Sequence, residues 1–321
     1  MPTTRRYTEH EMTAKMYKPT FKQNFHRNYK YFLLFGTIAI VGFFLFYLYP
    51  IIRTFILSLT DKTIFDPSAN FVGLENYMYA LKSDPLFARS INQSLIFAIV
   101  SGFFVLITSL MLAILLNSKV KFIGVFRTIY FLPFIIPSFA VGAVYKNFFN
   151  PSTGLINRLL EFLGVVNPPL WYISPNSALL TMIIISSFGF GVKMLVFLAA
   201  LQNIPQEYYE VAELEGANKA QQFFKITLPL ISPMLFFNII LITIDGLRSF
   251  SLAFVMGNGQ GWPSNSTLLF PIYMFMTAFN MPFRLGYAAA MAWIFFLIIL
   301  ALTGINFLLS KFYVQKDVTL T

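Results

Sequence analysis

Six apolar runs, at residues 31–52, 94–116, 128–148, 178–201, 230–255 and 286–309, leave this chain few ways to fold. Crossing roughly 30 Å of hydrocarbon takes about 20 mainly apolar residues in a helix, because that medium tolerates only backbone that satisfies its own hydrogen bonds. The runs predict an all-α, polytopic membrane protein with six spans. Composition agrees: 57% of the 321 residues are hydrophobic, 11% are charged and 39 are Phe, too little polar surface for a soluble globule of this size. The joining segments carry breakers and charge, as in Asp61-Lys-Thr-Ile-Phe-Asp-Pro67 and Gly257-Asn-Gly-Gln-Gly-Trp-Pro263. The expected organisation is a basic tail at 1–30, a membrane domain at 31–311 and a short tail at 312–321. Because the first run follows a polar tail and exceeds the length of a signal core, no cleaved leader is expected.

Lys and Arg set the orientation. Arg5, Arg6, Lys15, Lys18, Lys22, Arg27 and Lys30 precede the first run, and Lys119, Lys121 and Arg127 crowd the link between the second and third. Positive flanks stay on the cytoplasmic side, so with an even number of spans both termini are expected there. The formal charge of +10 is thus a topology signal. It forms no aromatic-interleaved patch, and nucleic-acid binding is not expected. With no Cys there is neither a disulfide framework nor a thiolate site, and the two histidines, His10 and His26, lie in the tail, so no metal centre is expected within the spans.

Between the fourth and fifth runs lies a polar, acidic island, Ile204-Pro-Gln-Glu-Tyr-Tyr-Glu-Val-Ala-Glu-Leu-Glu-Gly216-Ala217, on the cytoplasmic side of the expected topology. Asn203 as a cap, Pro205 in the first turn and Glu207 and Glu210 near the positive dipole end predict a helix start. Gly216 permits a sharp turn, and a second polar helix with Lys219 and Lys225 leads to Pro229 at the head of the fifth span. From these residues alone, an interfacial joint between spans and a docking element are both open readings.

Polar groups inside spans cost roughly 2.5–3.5 kcal/mol each at the helix centre and tend to mark a path. Lys193, Asp245 and Arg248 are such groups. Asn238, Ile242, Asp245 and Ser249 recur at four-three-four spacing on one helix face, with Arg248 at its flank, a stripe suited to line a pore. The alternative is a buried clamp, Asp245 with Arg248 or with Lys193. Phe188 and Phe250 offer rings for the C–H faces of a sugar, and Trp171 and Trp262 suit interfacial anchors or a docking surface.

Glu210, Ala212, Gly216 and Ala217, with nine residues between Gly216 and Ile226 and then Leu228-Pro229, resemble the "EAA" signature of permease subunits of binding-protein-dependent ABC importers. Ile-Pro-x-Glu-x-Tyr-Glu-x-Ala ending in Glu-Gly-Ala is similar to the carbohydrate-uptake branch, which carries maltose, multiple sugars and glycerol phosphate. The likeness extends to Phe71-Val-Gly-Leu-Glu-Asn-Tyr77, Asp84-Pro85-Leu-Phe87, Phe126-Arg-Thr-Ile-Tyr-Phe-Leu-Pro133 and Tyr287-Ala-Ala-Ala-Met-Ala-Trp293. Val211 replaces the signature's first Ala, and Glu215 stands where Asp is usual.

The resemblance implies the type I ABC importer permease fold, in the bacterial cytoplasmic membrane, working by alternating access. It implies that Glu207, Glu210, Ala212, Glu213, Gly216 and Ala217, within a loop at 203–229, couple to a separate ATPase. It also implies that sugar contacts lie on the stripe and near Phe188-Gly189. Partners would be a second permease, an ATPase dimer that binds ATP and Mg, an extracytoplasmic solute-binding protein, the sugar and membrane lipid. The chain has no Gly-Lys pair and so no Walker-type phosphate loop, and it is expected to be non-catalytic. A secondary carrier remains the competing class, although no internal repeat is evident. An intramembrane enzyme lacks a Ser/His, paired-carboxylate or metal-ligand constellation within the spans.

Overall fold

The computed structural model describes residues 21–66, 68–118 and 121–315. Most of the expected N-terminal tail, with His10, and residues 316–321 lie outside them. By contacts the chain divides into two units, Met1–Ile56 and Leu57–Thr321.

The first unit is built on one helical run: α1 (Phe21–Phe43), a π turn at Phe44–Leu48 and α2 (Tyr49–Ser58). Pro50 has no N–H to return to the preceding turn, and the π turn just before it, where the Tyr49 N–H reaches the Phe44 carbonyl, absorbs the interruption. Phe35–Ser58 is the apolar part, later than the expected 31–52. The helix starts ten residues inside the expected tail because Lys, Gln and Arg are good helix formers even where they are polar.

The second unit follows in chain order as α3 (Glu75–Lys82), α4 (Pro85–Leu116), α5 (Ile123–Ile135), α6 (Ser138–Phe148), α7 (Leu155–Phe162), α8 (Ala178–Ser186) and α9 (Gly191–Gln202). Then come α10 (Glu207–Leu214), α11 (Lys219–Gln222), a π turn at Phe223–Thr227, α12 (Leu228–Leu230), α13 (Ser232–Leu247), α14 (Ser251–Met256), α15 (Phe270–Phe279) and α16 (Leu285–Tyr313). Among the described residues, five helical segments are long and apolar enough to span, and α5 with α6 counts as a sixth when taken as one broken span.

At the centre stands α4, packed against α13, α9, α15 and α8. Its contact with α13 is close because both helices present small residues: a Cβ on Gly246 would lie 2.9 Å from the Ala98 Cα, and one on Gly102 would lie 2.7 Å from Ile242. The helix begins at Asp84-Pro85, nine residues before the expected 94. Asp84 accepts from the Leu86 and Phe87 N–H groups, and Pro85 occupies the first turn, where no donor is needed. Asp84 Oδ2 also accepts from the hydroxyls of Tyr273 (2.5 Å) and Tyr287, so one buried carboxylate ties α4 to α15 and α16.

Three expected single helices are interrupted. The run at 128–148 bends by 100° between α5 and α6, because Pro137 forces Ile136 into extended backbone (ψ 135°). The run at 178–201 breaks between α8 and α9 at residues 187–190, and the run at 230–255 breaks between α13 and α14 at residues 248–250. Three helices lie in segments expected to be loops, α3, α7 and α15, the last because its apolar run is too short to register as a span.

Candidate functional site at the helix breaks and the polar hairpin

The island folds as a helical hairpin. Asn203 does not cap it; that residue ends α9, and Gln206 holds the N-cap position of α10 without a side-chain bond. The turn after α10 is fixed by backbone. Gly216 takes φ +81°, its N–H reaches the Glu213 carbonyl at 3.0 Å, and the Ala217 N–H reaches the Ala212 carbonyl at 2.8 Å. These are the paired bonds of a Schellman closure, which needs a residue free of Cβ strain at the left-handed position. Four of the residues singled out by sequence thus define one turn. A further capping residue, Asn218, went unnoticed: it accepts from the Gln221 N–H while Gln221 Oε1 accepts from the Asn218 N–H, a reciprocal box readable as Asn-x-x-Gln.

Glu207, Glu210, Glu213 and Glu215 are exposed, whereas Ala212 is buried. Glu213 pairs with Lys219 at 2.5 Å across the turn, and that hydrogen bond holds its carboxyl below the usual range. Apolar residues share the exposed face: Leu214 is 89% exposed and Val211 55%. Beside them is a concavity of about 440 Å³ lined by Pro205, Glu207, Tyr208, Val211, Ala212, Glu215 and Ile226. The sequence signal for this edge was Val211 and Leu214 standing three apart among glutamates.

In the spans, the α5–α6 bend and the α8–α9 break meet around one cavity of about 470 Å³, closed by α14. Pro133, Ile136 and Pro137 line it from the α5–α6 bend, Ser186, Phe188 and Gly189 from the α8–α9 break, and Leu252 from α14. Phe188 stacks on Tyr145 with centroids 5.8 Å apart and planes 18° apart. Backbone outside regular helix within a span is tolerated where it lines a cavity or is covered by protein.

The expected stripe on α13 is divided. Asn238 is fully buried, donating to the Lys193 carbonyl at 3.3 Å, and its Oδ1 has no partner among the described residues. Ile242 is buried against Gly102. Asp245 is 62% exposed at its side chain and meets the more buried Lys193 at 2.6 Å, and Arg248 is exposed. Ser249 falls past the end of the helix, so the four-three-four spacing does not reach it. Of the clamps weighed from sequence, the structure forms Lys193–Asp245 and not Asp245–Arg248. Trp171 is neither a simple anchor nor free surface, since its indole N–H donates to Asn157 Oδ1 and its ring packs edge-on against Phe149.

Interrupted spans around a cavity, with a polar helical hairpin between two of them, are the build of a membrane transport component. Residues 105–314 match the family described as binding-protein-dependent transport system inner membrane component, and this chain belongs to that family. It is similar to the probable ABC transporter permease protein YesP of Bacillus subtilis, at 38% identity over 279 residues, 87% of this chain and 89% of that one. The arabinooligosaccharides transport system permease protein AraP of the same organism is 32% identical over 286 residues, covering 86% and 87%. Among solved structures, a chain of the bacterial alginate ABC transporter, in complex with alginate pentasaccharide-bound periplasmic protein, superposes with a TM-score of 0.78. It is 20% identical and covers 94% of this chain and all of that one. The likeness establishes a shared fold.

Proposed function

We propose that this chain is a carbohydrate-carrying permease subunit of an ABC importer, driven through its 203–229 loop by ATP hydrolysis on a partner chain. The hairpin carries the reading: a turn closed by backbone and capping bonds, presenting carboxylates and exposed Val211 and Leu214, is a rigid projection made to be gripped. Support for a sugar comes from the name of the arabinooligosaccharide relative and from a cavity that joins aromatic rings to polar backbone. In this reading both termini and the hairpin face the cytoplasm. A second permease completes the pore, an ATPase dimer holding ATP and Mg sits beneath, and a solute-binding protein docks outside.

The path runs through the breaks at Phe188-Gly189 and Asp245 to Ser249. Asn238 and Ile242 set the spacing of α13 against α4 and α9. Glu207 and Glu210 meet basic groups of the ATPase, Ala212 keeps the helix seated, and Gly216 and Ala217 hold the turn.

The test is substrate-stimulated ATP hydrolysis by the reconstituted complex carrying Glu210→Lys or Gly216→Pro. Both variants should insert and assemble with the second permease yet lose at least tenfold of the stimulated rate. Transport that persists without any ATPase would hand the case to a secondary carrier.

A further inference from the structure

Resting on the carbohydrate reading, we propose that Arg248 determines specificity and that the carried saccharide is acidic, with a carboxylate that this guanidinium recognises. The inference starts from how several cations of the second unit are occupied. Lys146 donates to the Val255 carbonyl at 2.8 Å and to Asn258 Oδ1 at 2.6 Å, and Lys193 is neutralised by Asp245. Arg89 bonds the Ser264 carbonyl, and Arg284 lies over the rings of Tyr79 and Tyr287.

Arg248 differs. It is exposed and, among the described residues, its guanidinium forms no ion pair and no hydrogen bond, although Asp245 stands only three positions before it. It lies past the middle of the Ser232–Met256 span, where α13 ends and the backbone leaves the helix for residues 248–250.

A simple structural role would have the guanidinium close the last carbonyls of α13, and it does not do so. With Lys193 and Asp245 cancelling, the break keeps one net positive charge. Holding an arginine within an apolar span costs roughly 2.5–3.5 kcal/mol, a cost that hydroxyl-bearing ligands do not require, since neutral donors and acceptors serve them. A planar, permanently charged fork matches a carboxylate in two-point contact, where the point charge of a lysine does not. The negative end of α13 works against an anion there, but by a smaller amount than a charge-assisted pair contributes.

The test uses the complete complex, with second permease, ATPase and solute-binding protein, in liposomes. Uptake is compared for a trisaccharide bearing one terminal uronate and for its uncharged counterpart. Wild type should carry the acidic sugar at least tenfold faster. Arg248→Gln should slow acidic uptake tenfold or more by raising KM with assembly unchanged, slow uncharged uptake several-fold less than acidic uptake, and Arg248→Lys should restore part of the loss.

Uncharged uptake equal to or faster than acidic uptake in wild type would overturn this inference alone. Equal slowing of both sugars by Arg248→Gln would also overturn it, and would assign Arg248 to pairing with an acid of the second permease. Uptake of neither sugar, with hydrolysis stimulated by a non-carbohydrate solute, would overturn the carbohydrate reading itself.

Discussion

Asp84 shows what one residue does in this fold. It caps α4 and receives two tyrosine hydroxyls from α15 and α16, all in a site from which water is largely excluded. Asp84→Ala removes the cap, worth about 1 kcal/mol, and strands two donors at about 1–3 kcal/mol each. The expected outcome is a fall of several degrees in the thermal midpoint of the purified complex. Asp84→Asn, which keeps the cap, should fall less, and equal losses for the two variants would refute the division of labour. The Asp-Pro pair was in plain view in the sequence, but its meaning was not. A helix start signal nine residues before the apolar run reads as loop unless the tyrosines that donate to the aspartate are known to converge on it.

Among elements, the hairpin of α10 and α11 was legible because its signals are local: glutamates in a first turn, a glycine at the closure, a small residue on the seated face. The breaks in the spans were less so. Pro137 announced one of them, since the residue before a proline avoids the helical region, whereas residues 187–190 and 248–250 contain no proline and only Gly189 as a local breaker. The hairpin has its own pH dependence. Because the Glu213 carboxyl is lowered by its bond to Lys219, the contact is complete above the ordinary glutamate range near 4.5 and fades as pH falls through the depressed value. Hydrogen exchange of residues 207–222, corrected for intrinsic rate, should be flat from pH 8 to about 5 and lose protection below the glutamate range. Glu213→Gln should abolish the step. The effect will be small, since both partners are exposed and screened; a step unchanged in Glu213→Gln would place its source elsewhere.

For the whole molecule, the decisive contact is between α4 and α13, where Gly246 meets Ala98 and Gly102 meets Ile242. Sequence periodicity located both helices but gave no sign of their register, because small residues are common on every face of an apolar helix. Gly246→Val should force the pair apart at about 1–3 kcal/mol and lower the thermal midpoint. Gly304→Val, whose added Cβ meets nothing within 4 Å in this chain, should leave it unchanged. Equal stability of the two variants would deny α4 its central place.

The hairpin is spliced directly between α9, which carries Lys193, and α12–α13, which carries Asp245. A helix turns by about 100° per residue, so the azimuth at which the hairpin points is locked to the azimuth of this charge pair by nothing more than a residue count. From Lys193 to the end of α9 that count is nine. One residue added there would leave every contact partner in place along the chain and aim the hairpin a quarter-turn or more away from them. The chain therefore keeps its length in this stretch as a gear keeps its number of teeth.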